Sequence, residues 1–160
     1  TFSKTLFPSL RISYMVLPDR FMQIYNQKLG FYSSTVPSFD QLVLANFIAG
    51  GYYEQHINRM RNYYKRLRNQ LIFSLRQSSL QDRIQIIEED SGLHFLLKVD
   101  TTMKDEEIVK KAEILGINLS CLSEYYFDRN SRENGTLLIN YSGISIEQVD
   151  EAIETLSAIF

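Results

Sequence analysis

The sequence is poor in cysteine, in long apolar runs and in surplus charge of either sign. Cys121 is the single cysteine in 160 residues, so no disulfide can form within the chain, and this fits a reducing cytosol. No apolar stretch approaches the roughly 18 residues of a membrane span. The 17 basic and 19 acidic side chains leave a formal net charge of −2, without the basic surplus of a nucleic-acid-binding domain. We therefore expect a cytoplasmic chain that does not cross a membrane and does not bind DNA by itself.

Familiar catalytic signatures are also missing. The sequence contains no Walker loop, no G-x-G-x-x-G fingerprint and no G-x-S-x-G nucleophile elbow. His56 and His94 are the only histidines and fall in different predicted elements, so together with one cysteine they do not make a metal site. We interpret His56 as a surface or helix-capping side chain and His94 as a satisfied core histidine, and we expect no metal.

The residues that are present have the composition of a folded domain with a sizeable core, 44% apolar and 22% charged. Their pattern predicts a helical first half and then the order strand-strand-helix-strand-strand-helix. That order predicts an α+β layer, with helices packed on a short mixed or antiparallel sheet. The predicted elements are a strand at 12–17, helices near 19–30, 38–50 and 52–77, strands near 83–87 and 92–99, a helix over 100–115, strands near 117–122 and 136–141, and a last helix from 145.

The first residues carry the richest candidate chemistry. Lys4 can form a Schiff base with an aldehyde cofactor if its amine is accessible and partly deprotonated. Arg11 can hold a phosphate bidentately, and the Thr1 hydroxyl, three residues before the lysine, can bind the same phosphate. By spacing alone, a solvated lysine and arginine in a loop are the commoner case. Because this motif lies at the edge of a chain without an initiator methionine, we expect a fragment of a longer protein, with a trimmed small protein as the alternative.

The first 18 residues, TFSKTLFPSLRISYMVLP, closely resemble the lysine segment of fold-type I proteins that bind pyridoxal 5′-phosphate (PLP). In particular they resemble the aminotransferase-like domain of MocR/GabR-type regulators of the GntR family, where the segment reads approximately G-[ST]-[FL]-S-K-[ST]-L-x-P-x-L-R-[IL]-G-Y. The resemblance implies that Lys4 is the Schiff-base lysine and that Thr1, Ser3 and Arg11 are further cofactor ligands. Ser13 replaces the usual glycine, a change of one small residue for another.

Later stretches extend the resemblance over nearly the whole chain. Residues 47–61, FIAGGYYEQHINRMR, resemble the family stretch F-I-x-x-G-x-[FY]-x-x-H-[IL]-R-[RK]-M-R. That stretch is distinctive of the regulators and not of metabolic aminotransferases. Residues 34–41 resemble a loop that faces the partner subunit's cofactor in these proteins. The resemblance therefore implies a homodimer in which Ser34 and Thr35 are dimer-side cofactor contacts.

Two departures from the family affect the expected activity. Leu138 occupies the apparent position of the arginine that binds a substrate carboxylate in aminotransferases. Arg132 or Arg129, in the preceding loop, could take this role, although a solvated loop arginine is the alternative for each. The family's pyridine-nitrogen aspartate, ring-stacking aromatic and winged-helix DNA-binding domain all belong upstream of the lysine. We therefore expect residues 1–160 alone to bind PLP poorly and DNA not at all.

The resemblance implies an α/β fold, in which residues 1–160 are the C-terminal part of the aminotransferase-like domain of a fold-type I PLP-dependent transferase. Residues 1–80 would be the end of the large domain with a long linking helix, and residues 81–160 the small α+β lobe. The expected function is the effector domain of a bacterial transcriptional regulator that senses PLP or an amino compound through an aldimine at Lys4. A class I/II PLP-dependent aminotransferase is the alternative, which leaves open whether the protein is an enzyme, and a cofactor-free interaction module is the third possibility.

Overall fold

The computed structural model describes residues 1–87, 92–127 and 134–160. The chain divides into two compact units, Thr1–Met60 and Arg61–Phe160. The described helices are α1 (Asp19–Leu29), α2 (Ser38–Ala49), α3 (Tyr52–Gln77), α4 (Asp105–Ile114) and α5 (Val149–Ser157), and the described strands are β1 (Ile84–Ile87), β2 (His94–Val99), β3 (Ser120–Cys121) and β4 (Thr136–Asn140). The boundary between the units falls inside α3. None of the described helices combines the length and apolar content needed to cross a bilayer.

The first unit, Thr1–Met60, has a small core. Its buried side chains are Phe2, Ile12 and Leu44, which come from the first segment and from α2. Two short 3₁₀ turns, Phe2–Lys4 and Pro8–Leu10, shape the first segment. Many large apolar side chains of this unit remain exposed, so the core covers only part of the unit's apolar surface.

The second unit, Arg61–Phe160, is built on one antiparallel sheet in the order β1-β2-β4-β3. Along β2 every second side chain is fully buried, as expected for a strand with one face on a core. Apolar stripes of α3, α4 and α5 cover that core, which includes Leu67, Leu71, Leu75, Phe95, Leu97, Ile108, Ala112, Leu137, Tyr141, Val149, Ile153 and Leu156. The prediction of helices packed on a short antiparallel sheet is confirmed.

Most predicted elements are present, with shifted ends. The predicted helix 52–77 agrees with α3, whereas α4 begins at Asp105 and not near residue 100. The preceding residues form a turn, in which Thr101 Oγ1 accepts the Met103 N–H at 3.1 Å. Glu107 Oε2 then accepts the Lys104 N–H at 3.2 Å, which satisfies a donor that the helix itself leaves unpaired. The last helix also begins later than the predicted residue 145, because a 3₁₀ turn at Ile146–Gln148 precedes α5.

The predicted strand at residues 12–17 is wrong. These residues form no strand, and Tyr14, Met15 and Val16 are 71%, 68% and 83% exposed. β-forming side chains are not sufficient for a strand, because the backbone also needs a neighbouring strand to complete its hydrogen-bond ladder. The described sheet is built from the other unit of the chain.

Candidate functional site

Lys4 ends a 3₁₀ turn whose backbone is held on both sides of the lysine. Before it, the buried Phe2 donates its N–H to the Ile12 carbonyl at 2.9 Å. After it, the N–H groups of Thr5 and Leu6 both donate to the Phe2 carbonyl, at 3.1 and 2.9 Å. The Lys4 side chain itself is exposed. The lysine therefore combines a held backbone with an accessible amine, as a covalent attachment point requires.

The beginning of α3 contacts the residue that follows the lysine. The Tyr53 hydroxyl donates to Thr5 Oγ1 at 3.2 Å, and His56 Nε2 lies 3.0 Å from the Thr5 carbonyl oxygen. Because a carbonyl oxygen only accepts, Nε2 must carry a proton in this contact. Tyr53 also packs edge-on against the Phe2 ring, with centroids 5.7 Å apart.

The contacts of Tyr53 and His56 with Thr5 were not predicted from the sequence. The interpretation of His56 as a surface or helix-capping side chain is corrected, since His56 is half-buried and its ring binds the lysine segment. The available signal was the spacing of Tyr53 and His56, because residues three apart lie on the same face of a helix. What that face contacts depends on a segment about 50 positions earlier in the chain.

Arg11 has an uncommon backbone conformation, with φ 49° and ψ 28°. The other positive φ values among the described residues belong to glycines. The left-handed conformation costs a residue with a side chain on the order of 1 kcal/mol. The Arg11 side chain is exposed and forms no ion pair within the described part of the chain. Its guanidinium is therefore available to an anion beside the lysine segment.

The two hydroxyls predicted to bind phosphate differ in what they already contact. Thr1 Oγ1 donates to the Ile12 carbonyl and accepts the Ser3 N–H, both at 3.3 Å. Its single proton is therefore engaged within the segment. The Ser3 hydroxyl has no hydrogen-bond partner among the described residues. Of these two, Ser3 is the freer donor for an added phosphate.

Ser34 and Thr35, predicted to face a partner's cofactor, lie exposed in the loop before α2. Ser34 Oγ accepts the Val36 N–H at 3.3 Å and a Gln41 Nε2 hydrogen at 3.4 Å. Gln41 Nε2 also donates to the Val36 carbonyl at 2.9 Å. Both contacts of Ser34 use its lone pairs, so its hydroxyl proton stays available to an external acceptor.

The residues considered for the position of the substrate carboxylate are Arg129, Arg132 and Leu138. Arg129 and Arg132 lie outside the described residues. Leu138 pairs with Leu96 and Ser120 inside the sheet, and its apolar side chain offers no donor. The first segment therefore offers an amine, a guanidinium and the free Ser3 hydroxyl. This set suits PLP, whose aldehyde needs an accessible amine and whose phosphate needs cationic and hydroxyl donors.

Curated relatives align with nearly the whole chain, although no family model matches it. The uncharacterized HTH-type transcriptional regulator YdeL of Bacillus subtilis is 35% identical over 158 residues, which cover 99% of this chain and 34% of that protein. The probable rhizopine catabolism regulatory protein MocR of Rhizobium meliloti is 33% identical over 164 residues, which cover 100% of this chain and 32% of that protein. The chain thus spans about a third of the length of these relatives.

The similar solved structures are fold-type I PLP aminotransferases. One is LysN of Thermus thermophilus, an alpha-aminoadipate aminotransferase complexed with N-(5′-phosphopyridoxyl)-L-leucine, which has a TM-score of 0.79. The match covers 99% of this chain and 40% of that chain at 17% sequence identity, and it establishes the fold alone. The homologous regulators and the aminotransferase fold together fit the C-terminal aminotransferase-like domain of a MocR-type transcriptional regulator.

Proposed function

We propose that this chain is the effector part of a bacterial transcriptional regulator and that Lys4 is the covalent attachment point for PLP. The observation that carries the proposal is the held lysine segment, with the exposed Lys4 amine in the same loop as the unpaired Arg11. When bound, PLP supplies an electrophilic carbon that reacts with amines. Arg11 and Ser3 would hold its phosphate, with Thr1 beside them.

A homodimer is part of the proposal. Ser34 has its lone pairs occupied and its proton free, which suits a donor to a phosphate on another subunit. Thr35 would add a second hydroxyl. The winged-helix domain that binds DNA would belong to the two thirds of the relatives' length that this chain does not cover. The division into the end of a large domain, residues 1–80, and a small lobe, residues 81–160, stays a prediction.

The proposed effector is a small amino compound, or PLP itself. An amine that competes with Lys4 for the cofactor would leave the lysine amine free. The segment from Thr1 to Ile12 would then lose one covalent tie, which is a local change of the kind that switches use. The apolar Leu138 favours sensing over transamination, because its side chain has no donor or positive charge to bind a substrate carboxylate.

The test is the visible absorption spectrum of the full-length protein with PLP, before and after addition of candidate amines. We expect a band of lysine-bound PLP that an effector shifts without further conversion. Lys4→Ala should abolish the band and keep the far-UV circular dichroism. Conversion to the pyridoxamine spectrum would instead indicate an aminotransferase, and a wild-type protein without the band would contradict the proposal.

A further inference from the structure

We infer that Tyr53 and His56 are positioning residues that hold Lys4 in place for its cofactor. They act on Thr5, the next residue of the chain, and we refer to the pair as the Thr5 brace. The inference rests on the proposed attachment of PLP to Lys4. It goes further by assigning the orientation of the lysine to two side chains of α3.

The brace holds Thr5 at two independent points. Tyr53 donates to the Thr5 hydroxyl at 3.2 Å, and Thr5 Oγ1 lies in turn 3.4 Å from the Phe2 carbonyl, to which it donates. His56 donates to the Thr5 carbonyl at 3.0 Å. Thr5, Tyr53 and His56 are all half-buried, so water competes less for these hydrogen bonds than at a free surface.

Such support matters because the turn that carries the lysine is short. Phe2–Lys4 is a three-residue 3₁₀ helix, and such helices have poor hydrogen-bond geometry. The lysine side chain adds the rotamer freedom of a flexible four-carbon stem. Bond formation at its amine needs a defined approach to the aldehyde carbon. Holding Thr5 fixes the backbone from which that stem starts.

Conservative variants separate positioning from general packing. Tyr53→Phe keeps the ring that packs on Phe2 and removes only the hydroxyl. His56→Gln keeps an N–H donor at the distance of Nε2, whereas His56→Leu keeps bulk and removes the donor. Tyr52→Phe is a matched control, because Tyr52 is the neighbouring tyrosine on α3, is 59% exposed, stacks on Phe47 and forms no hydrogen bond with Thr5.

The experiment uses the full-length protein and two measurements. PLP affinity is measured by titration of the lysine-bound absorption band, and hydrogen exchange at the Thr5 and Leu6 amides is measured in the cofactor-free protein. We expect His56→Leu and Tyr53→Phe each to weaken PLP binding roughly three- to tenfold, the size of one ordinary hydrogen bond, and to speed the exchange. His56→Gln should recover most of the affinity, and Tyr52→Phe should match the wild type.

Three results would overturn the inference. The first is unchanged exchange and affinity in His56→Leu. The second is a loss of affinity in His56→Leu that His56→Gln does not restore, since that would indicate packing. The third is an equal effect of Tyr52→Phe. A wild-type protein without a PLP band would contradict the proposed function, and faster exchange in His56→Leu would then still support the brace as the support of the lysine segment.

Discussion

Arg11 adopts a backbone conformation that glycine adopts with less strain. Arg11 is also the first positively charged residue after Lys4 in the sequence, and its side chain is exposed. The backbone strain and the proposed phosphate contact can therefore be tested separately at this one residue. The strain arises from the left-handed φ of the backbone, whereas the proposed phosphate contact is made by the guanidinium.

We predict that Arg11→Gly and Arg11→Ala weaken PLP binding to the same extent, because both remove the guanidinium. The two variants should differ in stability, with Arg11→Gly the more stable by about 1 kcal/mol, because only alanine keeps a Cβ in the left-handed region. PLP titration and urea denaturation of the full-length protein measure the two effects. Equal stability of the variants would contradict backbone strain, and unchanged affinity would contradict the phosphate role.

At the scale of elements, the start of α4 is tied to the two neighbouring strand ends by one buried carboxylate. Asp105 is 5% exposed, accepts from the Ser123 hydroxyl and accepts the Gly135 N–H at 2.8 Å. Cys121 lies beside it, and burial, followed by the negative charge of Asp105, raises the pKa of the thiol to about 12. Ser123 follows β3 and Gly135 precedes β4, so the carboxylate fixes the spacing of three elements.

Gly135 is the position where this arrangement allows no side chain. Its φ is 82°, and a Cβ there would lie 2.7 Å from the Val99 carbonyl oxygen. We predict that Gly135→Ala destabilises the protein by about 3 kcal/mol, because strain at positive φ and a backbone clash add together. Gly116→Ala is the matched control, since Gly116 has the same φ of 82° with open space around the Cβ.

Gly116→Ala should lower the free energy of unfolding by about 1 kcal/mol, because it adds only the strain at positive φ and no clash. Thermal or urea denaturation of the two variants gives the comparison. Equal losses would mean that the backbone of β2 moves to admit the methyl group, and this would contradict the predicted clash with the Val99 carbonyl oxygen.

At the scale of the whole molecule, the two units differ in how much apolar surface they bury. Among the described residues, the Arg61–Phe160 unit has a core cluster of 18 buried residues, whereas the cluster in Thr1–Met60 has three. No residue of α1 is buried. Exposed large apolar side chains of the first unit include Phe7, Tyr14, Met15, Val16, Phe31, Tyr32, Phe39 and Leu42. The first unit therefore leaves more large apolar side chains exposed than the second unit does.

We predict that a fragment of residues 52–160, which keeps α3 whole, folds cooperatively, whereas residues 1–60 alone do not. The larger core can offset the chain entropy lost on folding, and three buried side chains cannot. Circular dichroism with urea titration of both fragments gives the answer. A sigmoidal transition for residues 1–60 would contradict this view, as would the lack of one for residues 52–160.

Local sequence patterns were sufficient to predict most elements and the fold class. The bounds of α3 were predicted because its apolar stripe repeats over 26 residues, and glycines lie just before it. The strands of the second unit were recognisable from β-forming residues, with shifts of one to three residues at most ends. The roles of Lys4 and Arg11 were implied by the resemblance of the first segment to PLP-binding proteins, and they stay predictions.

The sequence by itself thus determined the periodic elements, because helix and strand periods are properties of neighbouring residues. The tertiary structure decided which distant groups meet. The contacts of Thr5 with Tyr53 and His56 join positions 48 and 51 residues apart, and no local period encodes them. It also decided that residues 12–17 form no strand, and that the proton of Thr1 is engaged while that of Ser34 is free. Hydrogen-bond pairing depends on which groups the fold brings within about 3 Å of one another, and that is a property of the whole chain.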